Sequence, residues 1–169
     1  MPPESPQFDP LRILEVLARH EVQCVVIGAY AAVLAGVEIV TRDIDITPAT
    51  DHANLERLAA ALNELHAAIR VRVRVGEPPV RLPADARLLA RTEILNLTTD
   101  AGELDITRRP SGTDGYEDLK QGAHYEPLGQ GLQIAIASLE DVIRSKTAAG
   151  RAKDLATLPQ LRAALERRK

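Results

Sequence analysis

The chain is expected to fold as one mixed α/β (α+β) domain: a small mixed β-sheet flanked by helices, with a helical C-terminus. Three observations predict this. Segments with apolar residues at helical spacing alternate along the chain with short β-branched runs. Gly, Pro and helix-capping residues punctuate the boundaries between them. The length of 169 residues, with 45% hydrophobic and 27% charged side chains, suits a single sizeable core.

Residues 1–8 read as a loose, Pro-rich tail, residues 9–137 as the core, and residues 138–169 as C-terminal helices packed on it. Asp9-Pro10 supplies an N-cap and a proline at the first helical position, and Leu11, Leu14, Leu17 and Ala18 share a face, so a first helix should run to about His20. The apolar run 23–27 is expected to be a buried strand, ending at Gly28 before a helix over 29–35 that stops at Gly36. Residues 42–47 alternate acidic and apolar side chains as a strand that Pro48 ends. Thr50 or Asp51 can cap a helix carrying Leu55, Leu58, Ala59, Leu62 and Leu65.

Val alternates with Arg70, Arg72 and Arg74 over 69–75, which predicts a half-exposed strand. Residues 82–91 are expected to form a short helix or irregular turn, and 94–97 with 103–106 a hairpin. The stretch 108–122 is loop-rich, with a weak helix over 116–121, and the turn at Gly129-Gln130-Gly131 leads into a strand over 132–136. Ser138, with Asp141 three residues on, can cap a helix over 139–149, which Gly150 interrupts. A last helix should begin near Ala152, with Pro159 starting a new turn or a kink.

Composition excludes several function classes. A net charge of −3 argues against a generic nucleic-acid coat, and 2% aromatics weighs against a platform for stacked bases. The single Cys24 rules out an internal disulfide and suits a cytoplasmic protein; in its apolar run it reads as a small buried hydrophobe. No stretch approaches the ~18 apolar residues of a membrane span. The four histidines lack metal-ligand spacing, and neither a phosphate-binding P-loop nor a Gly-x-Ser-x-Gly element is present.

The chemistry concentrates in acidic residues set within strands. In a strand, alternate side chains share a face, so Asp43 and Asp45 project together while Ile44 and Ile46 point into the core. Two like charges about 7 Å apart gain nothing from sheet packing. A divalent cation reverses that balance, because Mg²⁺ prefers carboxylate and phosphate oxygens. Asp105, flanked by Leu104 and Ile106, repeats the pattern, and three such carboxylates on adjacent strands could hold two metal ions across a triphosphate. Without a metal, the same residues would be an Asp-decorated sheet edge. Gly28, between a strand and a helix, gives phosphate oxygens access to backbone N–H groups. Arg42 is placed either to pair with Asp43 or Asp105 or to face phosphate. Arg70, Arg72 and Arg74 form either a basic strip for RNA or, more simply, a solvated face paired with acidic neighbours.

Val26-Ile27-Gly28-Ala29-Tyr30-Ala31-Ala32 followed by Thr41-Arg42-Asp43-Ile44-Asp45 resembles the opening of the DNA polymerase β-like nucleotidyltransferase superfamily. More narrowly, it resembles the minimal members related to abortive-infection type IV (AbiEii-like) toxins. Ser138-Leu139-Glu140-Asp141-Val142-Ile143-Arg144-Ser145-Lys146, then Arg151-Ala152-Lys153-Asp154-Leu155, is similar to that group's C-terminal signature. The resemblance implies the nucleotidyltransferase fold, with Gly28 and Ala29 in the phosphate-binding turn and Asp43 and Asp45 as ligands of Mg²⁺ or Mn²⁺. It further implies that Asp105 is the third carboxylate, that Lys146 contacts the nucleotide phosphates, and that Asp154 is a further acidic site residue. Ala29 departs from the Gly or Ser usual at the second turn position and removes a hydroxyl. Read from the sequence alone, Lys146 would be an ordinary solvated lysine and Asp154 the acidic residue favoured at a helix N-terminus. The implied activity is transfer of an NMP from an NTP to an acceptor hydroxyl. That acceptor would be a tRNA 3′ end, in a toxin held by a cognate antitoxin protein. A protein or small-molecule hydroxyl, or a silent binding module of the same fold, are the alternatives.

Overall fold

A computed structural model describes residues 6–70, 80–81 and 85–169. The expected strand beyond Arg70, with Arg72 and Arg74, and residues 82–84 of the expected helix lie outside the described residues. The strands, in chain order, are β1 (Cys24–Ile27), β2 (Asp43–Pro48), β3 (Ala68–Ile69), β4 (Val80–Arg81), β5 (Ile94–Thr99), β6 (Gly102–Thr107), β7 (His124–Gly129) and β8 (Leu132–Ile136). The helices are α1 (Pro10–Arg19), α2 (Gly28–Leu34), α3 (His52–Glu64), α4 (Ala86–Arg91), α5 (Tyr116–Gly122), α6 (Leu139–Ala149) and α7 (Ala152–Glu166).

Among the described residues the strands form one mixed sheet in the order β4-β3-β5-β6-β2-β1-β8-β7. Its centre is where chemistry collects. There β2 runs antiparallel to β1 and parallel to β6, and the register sets Asp45 beside Ile27 on one side and beside Asp105 on the other. The apolar partners Ile44, Ile46, Leu104 and Ile106 are buried on the opposite face, so a one-residue slip of β2 would bury its aspartates and expose its isoleucines. Buried Asn54 on α3 ties β1 to the chain after β2 by bonding Gln23 N, Gln23 O and Ala49 O at 2.7, 2.9 and 2.8 Å.

Capping residues set the helices as their chemistry requires. Asp9, Asp51 and Ser138 each accept a backbone N–H from the first turn that follows. The reciprocal half of the capping box at α6 does not form, because Asp141 pairs with Arg144 at 2.9 Å instead. Gly150, at φ 64°, closes α6 in the left-handed region. α7 continues through Pro159 rather than restarting there. Leu155 and Pro159 are both exposed, so the carbonyl that loses its N–H partner lies on the solvent side of the helix. Phe8, in the segment read as a loose tail, instead packs edge-to-face against Tyr30 with ring centroids 6.2 Å apart.

Candidate active site

Gly28, Ala29, Arg42, Asp43, Asp45, Asp105, Lys146 and Asp154 all line one cleft of about 770 Å³. Its floor is the polar face of β2 and β6, and its wall is formed by α6 and the start of α7. Every site residue expected from the sequence therefore meets in one place. Thr41, Ile94, Asn96, Ser145, Arg151, Lys153 and Thr157 also face it.

Sheet register explains why the carboxylates converge. Asp43 and Asp45 are two residues apart on β2, and Asp105 is the direct parallel partner of Asp45 on β6. Thr41 Oγ1 donates to Asp43 Oδ1 at 2.9 Å and so fixes that side chain at the strand's entrance. Burial, then the charges of Asp43 and Asp105, push the Asp45 carboxyl up to about 7, against the opposing pull of Lys146 and Lys153. Asp105 is also raised, chiefly by burial, with Arg70 opposing the shift.

Gly28 is required on two grounds. Its φ of 69° is a conformation that side-chain-bearing residues rarely adopt, and an added Cβ would overlap Asp45 Oδ2. The close approach follows from the pairing of Ile27 with Asp45, which brings the end of β1 and the turn after it against the carboxylate. A glycine between strand and helix is legible in sequence; its contact with Asp45 depends on register.

The fit of this cluster to a divalent cation can be judged from its donors. Among the described residues, neither Asp43 nor Asp45 accepts a bond from a Lys or Arg, so their charges have no cationic partner in contact. No three His, Cys, Asp or Glu side chains among the described residues form a ready-made ligand set. The two carboxylates without a cation in contact suit Mg²⁺, which is commonly held by one or two carboxylates and completed by substrate phosphates and water.

On the opposite wall, Asp154 is 1% exposed at the first turn of α7. Burial alone would push its carboxyl up, but bonds from Arg151 at 2.6 Å and Lys146 at 3.4 Å outweigh this and hold it below the usual carboxylate range. Lys146, with its side chain 15% exposed, is thus a half-enclosed lysine tethered beside the cleft, unlike the solvated one its sequence context suggests. Arg42 is exposed on the rim and, among the described residues, pairs with neither Asp43 nor Asp105. The partner of Asp105 is Arg70, at 2.7 Å. Of the three arginines read as a strip, this one is paired with acidic neighbours. Lys153 and Ser145 stand inside the motifs quoted above, yet sequence alone gave neither a role. Cys24 is buried, and burial pushes its thiol up to about 12, which leaves it chemically inert.

No protein-family model matches the chain, and no curated protein does. Among solved structures it is similar to a candidate nucleotidyltransferase from Thermotoga maritima, at 20% identity over 88% of this chain and 87% of that one, with a TM-score of 0.53. It is also similar to the antibiotic-resistance factor ANT(2″)-Ia, at 16% identity over 91% and 80% of the two chains and a TM-score of 0.55. A third is the lincosamide antibiotic adenylyltransferase LnuA, at 14% identity over 94% and 99%, with a TM-score of 0.56. The chain has the nucleotidyltransferase fold: a mixed sheet with flanking helices, as its sequence predicts. No described helix is long and apolar enough to cross a membrane.

Proposed function

We propose that this chain is a metal-dependent nucleotidyltransferase that moves an NMP from an NTP to an acceptor hydroxyl. The observation that carries the proposal is the meeting of Asp43, Asp45 and Asp105 on one sheet face, in one cleft with the Gly28 turn and Lys146.

Asp43 and Asp45 would hold Mg²⁺ or Mn²⁺, which when bound draws charge from the triphosphate and orients it. The acceptor oxygen attacks the α-phosphorus, and the bond from that phosphorus to the pyrophosphate oxygen breaks. Asp105, whose affinity for protons is raised, takes the proton of the acceptor hydroxyl. Lys146, held in place by Asp154, and Lys153, exposed at the same wall, offset the charge that gathers on the leaving pyrophosphate. Ala29 offers phosphate only its backbone N–H.

A tRNA 3′ end, and with it a toxin restrained by an antitoxin, is the acceptor that the sequence resemblance supports. A small-molecule hydroxyl is the second reading. It is favoured by the similarity to an antibiotic-resistance factor and a lincosamide antibiotic adenylyltransferase, and by the exposed apolar side chains Val40 and Ile94 at the cleft. Incubation with each α-labelled NTP, Mg²⁺ and, in separate reactions, total tRNA, bulk protein, an aminoglycoside and a lincosamide tests this. Label is expected in one acceptor class and absent with Asp45→Ala. No transfer to any class, or undiminished transfer by Asp45→Ala, would overturn the proposal.

A further inference from the structure

Arg70 lies just past β3, where its backbone N–H donates to Asn96 O at 2.9 Å and so docks it on β5. From there the guanidinium reaches across β5 to β6. Nη2 donates to Asp105 Oδ1 at 2.7 Å and to the Leu97 carbonyl at 3.1 Å, while Nη1 stands 3.5 Å from Glu103 Oε2. With the side chain only 30% exposed and gripped from two strands, this is a fixed cation rather than a wandering surface arginine. A guanidinium keeps its charge at any working pH.

We infer that Arg70 is a built-in counter-cation at Asp105, so that the cleft takes a single divalent ion, at Asp43 and Asp45, instead of two. The inference rests on the nucleotidyltransferase reading of the same site. It follows from charge and geometry together. Four carboxylates face this side of the sheet: Asp43, Asp45, Glu103 and Asp105. Arg70 sits against the β6 pair and offsets one of its two charges, that of Asp105 above all, while the β2 pair has no cation in contact among the described residues. Oδ1 of Asp105 is engaged by a donor, and a second dication brought to its other oxygen would sit close to a fixed like charge in a partly buried setting. The sequence reading has three aspartates share two ions; the inference instead assigns one ion to Asp43 and Asp45, with the Arg70 charge beside Asp105.

The test is a Mn²⁺ titration of the full chain, followed by electron paramagnetic resonance, with one equivalent of a non-hydrolysable ATP analogue. The wild-type protein is expected to bind one ion per chain. Arg70→Gln should admit a second ion, or tighten its binding by at least about tenfold, because a repelling charge is gone. Arg70→Lys keeps the charge and should still bind one. Two ions on the wild type, or an unchanged single ion on Arg70→Gln with its circular dichroism intact, would overturn the inference. Asp45→Asn separates the two levels: it should weaken the single ion, and unchanged Mn²⁺ binding there would bring down the site reading and this inference with it.

Discussion

Asp45 is surrounded by groups that disfavour its charge, and this makes its behaviour with pH a direct readout of the cluster. Its carboxyl titrates near 7 in the folded chain, against about 3.9 for an unperturbed aspartate. The folded, metal-free protein therefore holds this proton more tightly than the unfolded chain does. The resulting stability is complete below about pH 4 and is lost as pH rises through about 7. Asp45→Asn should flatten that fall and make the chelator-treated protein more stable at pH 8 by on the order of 1–3 kcal/mol; denaturant melts at several pH values check it. Gly28→Ala acts in the opposite direction, adding a strained φ and an overlap with Asp45, and is expected to cost about 1–3 kcal/mol and to lower the melting temperature. At this scale the sequence was informative where chemistry and strand period coincide: the Asp-Ile-Asp-Ile alternation of residues 43–46 places two acids on one face. The Arg70–Asp105 bond was not legible, because it spans 35 positions and crosses an intervening strand.

Between elements, Asp154 joins α6 to α7 by accepting from Lys146 on one helix and Arg151 before the other. Asp154→Ala should leave Lys146 half-enclosed without its partner. The expected loss is about 2 kcal/mol, below the usual cost of breaking a buried pair because Arg151 is largely exposed. Since the Asp154 carboxyl sits below the usual range, its contribution is present at neutral pH and lost as pH falls through that depressed value, so the difference between wild type and variant should shrink in acid. Most elements were readable from caps and periodicity. β7 was not: it is an exposed strand with Pro127 inside it and an irregular register near Gly129, so neither alternation nor an apolar run marks it. The Tyr116–Gly122 helix, by contrast, carries Leu119 into the core and forms where a weak helical segment was expected.

The whole molecule brings to one cleft residues from near the start of the chain, its middle and its last helices, so the site exists only when the C-terminal helices are docked. Leu161 is fully buried on α7, and Leu161→Ala should destabilise the fold by about 2–4 kcal/mol while weakening nucleotide binding through the displaced wall. The mixed-sheet class followed from the order of the segments, but the strand order did not, since parallel neighbours such as β1 and β8 are joined by no local signal. The central claim is that the β2 carboxylates grip a metal–nucleotide complex. Titration calorimetry of the full chain with each NTP, in Mg²⁺ and again in chelator, measures this most directly. Binding of at least one NTP in Mg²⁺, abolished both by chelator and by Asp45→Asn in a variant that still folds, is the predicted result. Equal binding in chelator, or by Asp45→Asn, would contradict it.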